Sequence, residues 1–208
     1  MTEQRTDTAR MGRPPLTERR KAATRLEIAR AAVRLFTAQG VAATSAGDIA
    51  REAGISTRTL WRYFPVKEQC VRPLLSPGVE ALTAALRESP PEEPLTEALY
   101  RFRMGGAPAG ETSAVMDLVR LTRDEPGLRA VWLQTHLEAE PRLAEAIAER
   151  TGEPPDGLRP RVRAAMINVA LRAATEDFAW DEQPDRSLDA VVTEALLIAS
   201  EGLSGSGP

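Results

Sequence analysis

A chain of 208 residues, 42% apolar but only 4% aromatic, can bury a sizeable core, and that core must rest on Leu, Ala, Val and Met. One cysteine, Cys70, excludes an intramolecular disulfide; one histidine, His136, excludes a histidine-rich metal site within a single chain; and no apolar run approaches the length of a membrane span. The formal net charge of −3 is unevenly laid, since residues 1–72 hold 14 Lys and Arg against 7 Asp and Glu, while residues 73–208 hold 13 against 23.

Such a division lets a basic front approach phosphates while the acidic remainder stays off the polyanion, although chance clustering of solvated charge gives the same count. With a polar, charged N-terminus, the chain reads as soluble and cytoplasmic. No phosphate-binding glycine loop, paired metal motif or nucleophile elbow is present, so neither an enzyme nor a cofactor is expected.

Residues 1–20 read as a flexible basic arm, because Gly12, Arg13, Pro14 and Pro15 resist regular structure. Arg13, between Gly12 and Pro14, suits a narrow minor groove; a solubilising tail fits the same residues. The next unit is a three-helix head over residues 21–72. Ile28, Ala32, Leu35 and Phe36 share one helical face, and Gly40 is placed to end that helix. Ser45 caps a second helix, with Asp48 three residues on completing an Asp version of the capping box. Gly54 turns the chain, Ile55 fills the angle, and Ser56 caps a third helix whose Leu60 and Phe64 face inward. A fourth helix is predicted from about Lys67, bent or limited by Pro73.

Two short helices around a tight turn are how a protein sets one helix in the major groove of DNA. Arg58 then suits guanine O6 and N7, and Thr57 or Thr59 a base edge or thymine methyl. Arg62, the Tyr63 hydroxyl and Lys67 suit phosphate. The plainer alternatives are solvated Arg62 and Lys67, and Trp61 as a seal on the small head.

The rest, residues 73–208, reads as a helical body with segments near 78–88, 95–104, 111–123, 126–138, 141–150, 158–179 and 185–201. Pro- and Gly-rich links separate several of them: SPPEEP at 89–94, GGAPAG at 105–110 and TGEPPDG at 151–157. Met104, Met116, Leu121, Trp132, His136 and Phe178 are candidate walls of an apolar ligand cavity, with ordinary core packing as the rival reading. Val162, Met166, Val169 and Ala173 form one stripe, and Leu188, Val191, Ala195 and Ile198 another. Two helices so apolar can pack on their copies as a four-helix dimer interface, or be buried within one chain.

The segments RLFTAQG at 34–40, TSAGDIAREAGIS at 44–56 and TLWRYFPVKE at 59–68 resemble the TetR/AcrR family of bacterial transcriptional regulators. The match covers about residues 24–72. The resemblance implies an all-α homodimer with two helix-turn-helix heads, a C-terminal ligand-binding and dimerisation domain, and in most members a repressor released by a small molecule. Its partners would be double-stranded operator DNA, a second copy of the chain and a small, fairly apolar effector, with no membrane. It also implies phosphate-facing roles for Thr44 and Ser45. Ser56, Thr57, Arg58 and Thr59 match the leading edge of the recognition helix, Trp61 and Tyr63 its aromatic positions, and Lys67 a family lysine.

Arg58 stands where Gly is frequent, Trp61 where Tyr is frequent, and Val66 where a capping Ser is common. These departures leave a second reading open: a helical ligand- or partner-binding module whose DNA binding is weak or lost. On the first reading, two recognition helices meet successive major grooves about 34–36 Å apart, and the operator is an inverted repeat.

Overall fold

The computed structural model describes residues 16–90, 92–95, 97–99, 109–181 and 186–204, and every regular element among them is helical. Arg13 and Met104 lie outside the described residues. The head comprises α1 (Leu16–Gln39), α2 (Ala46–Glu52) and α3 (Thr57–Tyr63). A 3₁₀ segment, Lys67–Leu74, leads into the body: α4 (Ser76–Glu88), α5 (Ala109–Leu121), α6 (Pro126–Thr151), α7 (Leu158–Trp180) and α8 (Leu188–Ser204).

Local chemistry sets the head. Helix α1 places Ile28, Ala29, Ala32, Val33 and Phe36 inside and stops at Gly40, which takes φ +83°. Ser45 Oγ accepts from the Asp48 amide at 3.1 Å, while Asp48 accepts from the Ser45 amide at 3.0 Å; this is the reciprocal cap expected from the spacing. The two Ser45 hydrogen bonds, helped by Arg51, hold the Asp48 carboxyl below its ordinary pKa. Gly54, at φ +66°, makes the turn, and Ser56 caps α3 by accepting from the Thr59 amide at 3.1 Å.

Three sequence expectations are corrected, and a fourth lies partly outside the described residues. Residues 16–20, assigned to the arm, are the first turns of α1. The element from Lys67 is a 3₁₀ helix: Val66 gives it no side-chain cap and Pro73 lies inside it, so a regular α-helix starts only at Ser76. The segments 126–138 and 141–150 are one 26-residue helix, α6. Pro141 is tolerated because it and Leu137, one turn back, both lie on the exposed side, where water can satisfy the freed carbonyl. Of the segment 95–104, Leu95 and residues 97–99 are helical and the remainder lies outside the described residues.

The body does not hang from the head as a separate core. One buried cluster joins Ile28, Ala32 and Phe36 of α1, Cys70, Val71 and Leu74 of the 3₁₀ segment, Met116 and Val119 of α5, and Leu128 and Trp132 of α6. A second, around Leu82, Leu86, Leu143, Ile147, Ala164 and Ile167, ties α4, α6 and α7 together. Helix α8 closes on α7 through Ala174, Val191 and Val192. Cys70 is fully buried in the first cluster, and burial pushes its thiol up to about 12, so it stays protonated and unreactive.

Candidate nucleic-acid interface

Helix α3 divides cleanly. Leu60 and Phe64 are buried against α1 and α2, which fixes the rotation of the helix. Thr57, Arg58, Trp61 and Arg62 all face solvent, and Trp61 is 45% exposed despite its size. These four residues are spaced i, i+1, i+4 and i+5, so they share one face about a turn and a half long. Arg58 has no carboxylate partner among the described residues. Thr59 is half-buried, with its hydroxyl 2.9 Å from that of Ser56, so both oxygens are already engaged at the cap. Trp61 as a seal on the head does not fit this exposure.

Two residues carried over by resemblance are turned inward. Thr44 is 1% exposed, and its hydroxyl donates to the Gly40 carbonyl at 2.8 Å while accepting from Gln39 Nε2 at 3.2 Å. Its side chain braces the α1–α2 turn and is not free for phosphate. Lys67 reaches back across the head, donating from Nζ to the Val41 carbonyl at 2.6 Å and the Thr44 carbonyl at 2.9 Å. It satisfies two part-buried carbonyls of that turn. Ser45 remains at the surface, but its hydroxyl is held by Asp48 Oδ2 at 2.6 Å. Replacing Lys67 by Ala is expected to lower stability by about 1–3 kcal/mol, since two part-buried carbonyls lose a charged donor. The salt dependence of DNA binding should not change. Intact unfolding free energy with a shallower salt slope would restore the phosphate role.

Sequence reasoning missed Arg25 of α1, whose guanidinium lies over the Tyr63 ring at 5.5 Å; Arg62 lies over the same ring at the same distance. An Arg on the exposed side of α1 and an aromatic at the end of α3 were the available signal, but their pairing depends on helix crossing rather than on spacing.

In the body, the candidate cavity residues are packed. Met116 and Trp132 belong to the main core, and Leu121 and Phe178 rest against it. Trp132 and His136 do share a face, with ring centroids 4.2 Å apart. Trp132 Nε1 donates to buried Glu176 at 2.8 Å, and Arg172 Nη1 donates to the same carboxylate at 2.9 and 3.1 Å. His136 and Glu140 are linked through a third side chain. Asn168 stands between them: its amide donates to the His136 carbonyl and to Glu140, both at 3.0 Å. Asn168 Oδ1 must therefore accept from His136 Nδ1, at 2.7 Å, which sets the tautomer.

Burial lowers the His136 pKa beneath the ordinary 6.5, against the smaller upward pull of Asn168. The unfolded ring takes a proton near 6.5, and the folded ring does so only at lower pH. The His136 contribution is therefore complete above that pH and lost as pH falls toward the folded value. Urea unfolding between about pH 7.5 and about pH 5 should show a smaller acid loss in His136→Gln than in the wild type. Equal losses would mean His136 is not held neutral.

The dimer stripes separate in the same way. Val162, Val169, Ala173 and Ile198 are exposed, with Val169 at 48% and Ile198 at 62%, and Met166 is half-buried. Leu188, Val191 and Ala195 instead pack on α7 within one chain, because that side of α8 closes the third cluster. Leu197, beside Ile198, is exposed although it was not singled out.

A two-helix turn held by serine caps, with the outer face of its second helix bare, is the architecture of a helix-turn-helix DNA-binding head. The comparisons agree along nearly the whole chain. Residues 28–74 match the model of bacterial regulatory proteins, tetR family, and residues 89–204 match that of the MftR C-terminal domain. The HTH-type transcriptional regulator TcmR of Streptomyces glaucescens is 34% identical over 197 residues, covering 90% of this chain and 84% of that protein. Two solved structures share the fold. FadR of Thermus thermophilus, a transcriptional repressor in complex with lauroyl-CoA, has TM-score 0.53 and 24% identity, with 88% and 97% of the two chains covered. NalD of Pseudomonas aeruginosa has TM-score 0.58 and 19% identity, with 86% and 96% covered. The chain belongs to the TetR family of bacterial regulatory proteins and is a DNA-binding transcriptional regulator.

Proposed function

We propose that the protein is a homodimeric repressor that grips a palindromic operator with paired α3 helices and releases it when a small, fairly apolar molecule enters the body. The bare face formed by Thr57, Arg58, Trp61 and Arg62 carries this reading. Arg58 and Thr57 read base edges; Arg62 and Tyr63 serve the backbone. Support for the dimer comes from Val162, Val169, Ala173, Leu197 and Ile198, an apolar surface on the two helices that close the body.

The effector is read into the region of Met116, Leu121, Trp132, His136 and Phe178. There an apolar lining meets the Trp132–Glu176 and His136–Asn168 hydrogen bonds. FadR of Thermus thermophilus, in complex with lauroyl-CoA, offers a precedent on this fold for a ligand with a long apolar chain. Because these residues are packed here, the effector must favour a more open arrangement of α5, α6 and α7. Release follows only if that arrangement misplaces the heads.

Selection from a random duplex library should recover an inverted repeat bound by two chains. Recovery of no sequence by well-folded protein at low salt would turn the reading toward a helical binding module. A compound that binds the body should also lower operator affinity; one that binds without doing so is not the effector.

A further inference from the structure

The geometry points to a phosphate seat shared by α1 and α3, in which Arg25 and Arg62 are set by the Tyr63 ring to grip the DNA backbone beside the recognition helix. The inference rests on the helix-turn-helix reading of α3 but not on any particular operator. Both guanidiniums lie 5.5 Å from the centroid of one ring, and both side chains are exposed. Neither forms an ion pair with a carboxylate among the described residues, although acidic residues are available along α1. Glu18 of α1, whose charge Arg25 also feels, is bonded to Lys21 at 2.8 Å, and Glu52 of α2 to Arg34 at 2.9 Å. Two guanidiniums beside one half-buried tyrosine concentrate positive charge at the end of α3. An anion brought to that ring is attracted by both charges.

The chemistry suits phosphate in particular. A guanidinium held over a ring uses its face and keeps its in-plane N–H donors, the edge that forks onto two phosphate oxygens. The Tyr63 hydroxyl, without a hydrogen-bond partner among the described residues, is a further donor on the same ring. Packing of Tyr63 against the head core holds this platform still. Arg62 follows Arg58 by one turn of α3, so the seat continues the basic face to the tip of the recognition helix. Helix α1 therefore contributes directly to DNA binding, with Arg25 as its contact.

The test is the salt dependence of binding to a duplex of arbitrary sequence, which needs no operator. Arg25→Ala should weaken binding to all duplexes alike and reduce the log–log salt slope by about 0.9 per bound chain. Arg25→Lys should recover most of the slope. The thermal midpoint should be the same in all three proteins, because Arg25 is exposed. An unchanged slope in Arg25→Ala, beside a wild type that binds with a normal slope, overturns the seat. A changed midpoint with an unchanged slope assigns Arg25 to structure and overturns it equally. If the wild type itself fails to bind any duplex at low salt, the helix-turn-helix reading has failed instead.

Discussion

Truncating Trp132 to Ala is expected to remove about 3–5 kcal/mol of folding free energy, the largest loss of any substitution considered. Trp132 is 4% exposed and packs in the cluster shared by α1, the 3₁₀ segment, α5 and α6. Truncation opens a cavity that rigid helix crossings cannot fill, and it strips the Nε1 donor from Glu176. Arg172 still neutralises that carboxylate, so lost volume outweighs the lost hydrogen bond. Trp132→Phe, which keeps most of the volume, should cost about 1–3 kcal/mol. Because the cluster runs from head to body, urea unfolding should remain a single transition, with head and body probes coincident. A loss below about 1 kcal/mol would show that Trp132 borders open space as a pocket wall.

The second large effect is on DNA. If Arg58 reads a guanine, Arg58→Ala should reduce discrimination at one base pair of each half-site by about 1–3 kcal/mol, or roughly 5- to 150-fold. Stability should hardly change, since the side chain is exposed and makes no ion pair among the described residues. Competition between the operator and single-base variants separates this from backbone binding. A phosphate contact would weaken all sequences together and leave the preference at that pair intact.

Much of the head was legible because its determinants are local. Ser45 with Asp48, Gly54, Ser56, and the pair Leu60 and Phe64 each act within four residues, and each does in the fold what its spacing implies. The engagements of Lys67, Thr44 and Arg25 were harder to read. Lys67 answers carbonyls at Val41 and Thr44, and Thr44 turns to a helix end that precedes it, so both look available in a linear reading. Arg25 meets Tyr63 only through the crossing of α1 and α3.

In the body, apolar stripes announced helices but not which side meets which neighbour. Leu188, Val191 and Ala195 share a helical stripe with Ile198, yet α7 takes the first three and leaves the last exposed. Pro141 reads as a boundary, but a proline on the solvent side of a long helix interrupts a hydrogen bond that water can replace.

The account as a whole requires two α3 faces held at a fixed separation and pointing the same way along one duplex. Affinity for the selected palindrome should therefore be measured as base pairs are inserted between its halves. An insertion of about 5 base pairs, half a helical turn, should reduce binding to the level of a single half-site, because the second head then meets the far side of the duplex. Equal affinity at every spacing would mean that the heads bind independently, and the paired-helix account would fall.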